Sequence, residues 1–154
     1  MKKLALLIVS VFLLMMVPQA ATANTVIRIT APANQTFTGE FRNDDLAQAL
    51  TPSGELGLKV FQSIEKNRTW VIDAALINEI EDMADGYTYA GKEDSAGQQT
   101  ARNWLFRLRN VVANNSVVAL PYGNPDEKLL KSVAPSELKF YSLYAQTQLQ
   151  ESLR

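Results

Sequence analysis

Histidine and cysteine are both absent from the 154 residues. Without histidine there is no Ser-His-Asp or Cys-His machinery, no histidine-ligated zinc and no imidazole base. Without cysteine there is no disulfide, no thiol nucleophile and no thiolate metal site. Any catalysis must therefore rest on carboxylates, tyrosine or lysine. A basic excess is lacking too: 15 Lys and Arg stand against 16 Asp and Glu. Such a balance offers nucleic acid no cationic stripe, so none is expected as a partner. There is no P-loop, no G-x-G-x-x-G and no metal-ligand spacing, so neither a cofactor nor a metal is expected.

Long apolar runs are also scarce. Leu4–Val17 is such a run, 14 residues long, and it follows the basic pair Lys2-Lys3. It is short for a membrane span, and Pro18 breaks it. Ala21-Thr22-Ala23 then supplies the small residues that a signal peptidase requires. The pattern predicts a signal peptide over residues 1–23, cleaved before Asn24, and a single domain over residues 24–154. Removing Lys2 and Lys3 takes the formal charge from −1 to −3. The mature chain is expected outside the cytoplasmic membrane, secreted or associated with the cell envelope, with no membrane span of its own.

Hydrophobic periodicity divides the rest. Thr25–Ala31 alternates as a strand and stops at Pro32. Residues 32–42 read as a polar loop with Phe37 and Phe41 as apolar hooks. Asn43 is expected to cap a short helix, and Ser53 a second one over residues 54–66. Leu56, Val60, Phe61 and Ile64 set the buried face of that second helix. The stretch Thr69–Ala74 holds the continuous apolar run Trp70-Val71-Ile72, as in a strand buried on both faces. Asp73 ends it and caps a helix striped by Leu76, Ile77, Ile80 and Met83, which Gly86 terminates. Glu79, Glu81 and Asp82 are read as its solvated side. A polar loop, residues 87–95, precedes the longest helix, which runs to about Asn114. Trp70 and Trp104 both fall within apolar patterns and are read as core. Val117–Leu120 is a third strand. Pro121-Tyr122-Gly123 turns the chain, Asn124 is expected to cap and Pro125 to open a short helix. A final helix runs from Ser136 to about Leu153. N-x-S/T tripeptides at Asn34, Asn67 and Asn114 are discounted, because the leader has a bacterial pattern.

The order is strand, helix, helix, three times over. Strands joined through helical crossovers pair in parallel. The expected fold class is α/β: a partial (β/α) barrel of about three parallel strands with covering helices. In such sheets the loops at the C-terminal strand ends build the site. That puts Asp73 and residues 121–126 on one rim.

Four blocks carry a resemblance. Residues 70–77, WVIDAALI, resemble W-V-x-D-P-A-L-L, and residues 83–87, MADGY, resemble M-A-D-G-Y. Residues 104–109, WLFRLR, resemble W-L-x-R-L-R, and residues 119–126, ALPYGNPD, resemble A-L-P-Y-G-D-P-D. In this order they resemble an uncharacterised family of large exported actinobacterial envelope proteins, a domain of unknown function. The resemblance covers residues 37–135. It implies a glycosidase- or deacetylase-like barrel, and no established activity. Ala74 stands where the family has proline, and Asn124 where it has an acid. The chain reads as a short or partial member.

The rim supplies the candidate site residues. Asp73 and Asp126 are the candidate catalytic carboxylates, since a pair about 5–10 Å apart serves glycoside hydrolysis. Asp73, Tyr122, Asn124, Asp126 and Tyr87 are the candidate ligand-binding residues, the tyrosines as platforms for sugar rings. Helix capping accounts equally for both aspartates. The reading preferred is a non-catalytic domain that binds an envelope glycan or an envelope protein. The alternatives are a carbohydrate-active hydrolase using the carboxylate pair, and a degenerate barrel fragment without independent activity.

Overall fold

The structure is a computed structural model that describes residues 25–62 and 67–154. The expected leader and its cleavage bond lie outside the described residues, as do Ile64 and the last turn predicted for the second helix. In chain order the elements are β1 (Thr25–Ile29), α1 (Asp45–Leu50), α2 (Glu55–Phe61), β2 (Arg68–Ile72) and α3 (Ala74–Asp85). They continue with β3 (Thr88–Tyr89), β4 (Lys92–Glu93), α4 (Ser95–Val112), β5 (Ser116–Ala119), α5 (Glu127–Val133) and α6 (Pro135–Ser152). The expected strand–helix–helix order holds. The addition is a small antiparallel β3–β4 ladder inside the predicted loop.

β1, β2 and β5 form one parallel sheet in that order, with Ile29 beside Ile72 and Ile72 beside Ala119. The molecule is thus α/β, with a three-stranded parallel sheet and covering helices. The helices cover one face of the sheet. Ile29, Trp70 and Ile72 point into them and are fully buried, with Leu50, Leu56, Ile77, Ile80, Met83, Trp104 and Leu108. The alternate residues point the other way. Val26 is 63% exposed and Val118 49%, and Arg28 is exposed. Val71, flanked by strands on both sides, is only half-buried and lies outside the core. The expectation of a central strand buried on both faces is corrected here. Consecutive right-handed crossovers that step along a sheet in one direction lay all their helices on the same side. The other face is uncovered among the described residues.

Glycine sets the α1–α2 corner. A β-carbon on Gly57 would run into the Thr51 carbonyl, and one on Gly54 into the carbonyls of Gln48 and Ala49. The two short helices approach too closely there for a side chain at either position. Gly54, not Ser53, occupies the N-cap position of α2, and no side chain caps it. Phe41 is buried as expected, but Phe37 is fully exposed and hooks nothing.

The acids of α3 correct a second expectation. They hold neighbouring segments and are not simply solvated. Glu79 accepts from the backbone N–H groups of Asn34 (3.2 Å) and Gln35 (3.4 Å), which ties the chain after β1 to α3. Asp82 accepts from the Gln35 amide at 2.9 Å. Glu81 pairs with Arg109 of α4 at 3.0 Å and accepts from the Ser152 hydroxyl of α6 at 2.8 Å.

Candidate functional site

The rim forms where β1, β2 and β5 all end. Asp73 follows β2 directly and caps α3 as expected, its Oδ1 accepting from the Ala75 N–H at 3.0 Å. The same oxygen also accepts from the Gly123 N–H at 3.1 Å. One buried carboxylate thus strings β2, the start of α3 and the turn after β5 together. Burial raises its carboxyl above the usual carboxylate range, against the opposing pull of those two N–H groups and of Arg28.

The turn is built from its own residues. Asn124 N–H returns to the Pro121 carbonyl at 2.8 Å, and Gly123 sits at φ +75° in the third position. A type II turn requires that conformation there, and glycine takes it without strain. Asn124 follows at φ +45°, which asparagine tolerates better than most residues. Its side chain accepts from Arg28 Nη2 at 2.7 Å, so the first strand reaches across to the third loop. Asn124 does not cap α5, as had been expected. Asp126 takes that position, and its Oδ1 accepts from the Leu129 N–H at 2.9 Å.

A cleft of about 750 Å³ opens between this turn and the segment after β1. Ala31, Pro32, Leu46 and Leu56 give it an apolar wall. Asn34, Arg42, Asn43, Asp45 and Asn124 give it polar edges. Asn43 and Asp45 hold each other, Nδ2 to Oδ2 at 2.6 Å, while Asn43 Oδ1 accepts from the Asp45 N–H at 3.1 Å. Arg42 is exposed, and its guanidinium makes no hydrogen bond within the described residues. It leaves a full fork of donors on the cleft wall.

The structure therefore brings Asp73 and Asn124 together through Gly123 and Arg28. It treats the other expected site residues differently. Tyr122 leans away from the cleft, toward α3 and α6. Its hydroxyl accepts from Asn78 at 3.1 Å, and its ring meets Tyr144 edge-on at 4.9 Å. Asp126 lies on an exposed turn, engaged with its own helix. Tyr87 is not at the rim. It follows the far end of α3, 12 residues from the Asp73 cap, which is about 18 Å along a helix. There its ring is buried against Phe41 and its hydroxyl lies 3.1 Å from Asp44 and 2.9 Å from Asp94. The residues that line the cleft from the β1 side, Asn34 and Arg42 above all, sat in a stretch read only as loop. Their one visible signal was position: they follow a strand end, as Asp73 does.

Among the described residues no group of three or more acids, histidines or cysteines could hold a metal ion. No described helix is long and apolar enough to cross a membrane. Comparison with models of known protein families, and with curated proteins, returns no match.

Proposed function

We propose that this chain is an exported protein of the cell envelope that binds a hydroxyl-rich glycan in the rim cleft without cleaving it. The observation that carries this reading is the cleft itself. An apolar wall stands beside the exposed Arg42 guanidinium and the Asn124 amide, in about 750 Å³. Concave sites of this size, with few fixed polar groups, suit a small ligand. Asp73 supports a non-catalytic role, because its Oδ1 already holds two backbone groups. The signal-peptide pattern at residues 1–23 and the resemblance to exported envelope proteins support the location.

One observation favours a second reading. A carboxyl raised by burial, as that of Asp73 is, suits a general acid, so a hydrolase pairing Asp73 with Asp126 is the competing function. The experiment combines calorimetric binding of solubilised peptidoglycan fragments with a product assay on the same fragments. The binding reading expects Arg42→Ala to weaken binding about tenfold or more, as loss of charged hydrogen bonds does. It expects no product from the unaltered protein. Product that disappears in Asp73→Asn and Asp126→Asn, with binding retained, would establish the hydrolase instead.

A further inference from the structure

Among the described residues the outer edge of β5 is open: the strand stands last in its sheet and pairs only with β2. Leu120 N–H donates to the Ile72 carbonyl at 2.9 Å, so alternation turns Val118 toward β2 and turns the N–H and C=O groups of Val117 and Ala119 outward. Beside this edge runs a groove of about 530 Å³, between β5 and α6. Leu149 of α6 and Leu153, just past its end, line it with Val117, Val118 and Ala119, and Gln146 and Gln150 close it. The lining contains no ionisable side chain.

We propose that this groove accepts one extended strand of a partner protein, hydrogen-bonded to Val117 and Ala119. Its side chains facing α6 are uncharged and aliphatic. Backbone pairing supplies the attraction, as in strand addition to any free sheet edge. The neutral aliphatic lining supplies the selectivity, since an ionised side chain buried there would find no counter-charge. A second copy of this chain fits less well on either of its edges. Ile29 of β1 is already fully buried under its own helices, leaving no face for α6 to cover. A second β5 would carry its own α6, packed against it, to the same groove.

The test is amide hydrogen exchange by NMR on the protein with the probe peptide acetyl-Thr-Val-Thr-Val-Thr-Val-Thr-amide. The expected result is exchange slowed about tenfold or more at Val117 and Ala119, with Val118 unchanged because β2 already protects it. The same peptide with lysine in place of valine leaves both amides fast. Val117→Pro removes one outward N–H, spares the β2 ladder and abolishes the effect, while persisting protection at Val118 shows that the variant is folded. Unchanged exchange at Val117 and Ala119 overturns the proposal. So does slowing at Val26 and Arg28 instead. Protection that grows with protein concentration in the absence of peptide overturns the choice of occupant in favour of a second copy.

Discussion

The two faces of the sheet differ more than the sequence of its strands does. On one face Ile29, Trp70 and Ile72 are fully buried under helices. On the other, one residue along each strand, Val26, Val71 and Val118 are exposed or half-exposed. Those three covered side chains are apolar, whereas the other face mixes its valines with Arg28, Thr69 and Ser116. The direction in which the crossovers step decides which face the helices cover, and the valines on the other face stay at least partly exposed beside those polar residues. An apolar strand run therefore reports burial only once the topology is known.

The largest expected contrast follows from that difference. Trp70→Ala should cost about 3–5 kcal/mol, the range for removing a large buried side chain. Urea unfolding measures it, and a cost near zero would mean that the covered face is loosely packed. Gly57→Ala should cost about 1–3 kcal/mol, because its β-carbon must displace the Thr51 backbone. A neutral result by the same method would mean that the α1–α2 corner is more open than described.

Asp73→Ala should also cost about 1–3 kcal/mol, by leaving the Ala75 and Gly123 N–H groups without an acceptor. Asp73→Asn keeps an acceptor oxygen and should cost less. It should also change the pH dependence. The folded carboxyl titrates above the reference value of 3.8. Its contribution to stability is then fully present below the unfolded value and is lost as pH rises through the folded one. The stability of the unaltered protein relative to Asp73→Asn should fall over that window and level off above it. Denaturation series across acidic pH would show it, and a rise over the window would contradict it.

Glu81→Gln breaks a partly exposed pair with Arg109, 3.0 Å apart, and should cost about 0.5–1 kcal/mol, less in high salt. The smallest effect is expected on the bare face. Val118→Thr should lie within about 0.5 kcal/mol of neutral. A cost near that of Trp70→Ala would show that something covers this face.

Much of the fold was legible in the sequence. Trp70-Val71-Ile72 and the 3–4 spacing of Leu76, Ile77 and Ile80 gave a strand feeding a helix, and Asp73 gave the boundary between them. The short β3–β4 ladder was not legible, since two-residue strands leave no periodicity. The site was legible in part. Asp73 and Asn124 do share the rim, because both follow strand ends. Arg42 and Asn34 were hidden in a stretch without pattern, where the Arg42 N–H bond to the Asn34 carbonyl and the N–H bonds that Glu79 accepts fix the backbone. Glu79 itself was misread because a carboxylate on the polar side of a helix looks the same whether it faces water or another segment. Tyr87 was misplaced because a loop position does not say at which end of the sheet the loop lies.

The most direct measurement is a two-dimensional amide NMR titration of the protein with solubilised peptidoglycan fragments. Saturable shifts confined to Asn34, Arg42, Gly123 and Asn124, and lost in Arg42→Ala, are the result expected of a glycan-binding rim cleft. A well-dispersed spectrum in which those four amides stay still at every concentration of fragment would contradict it.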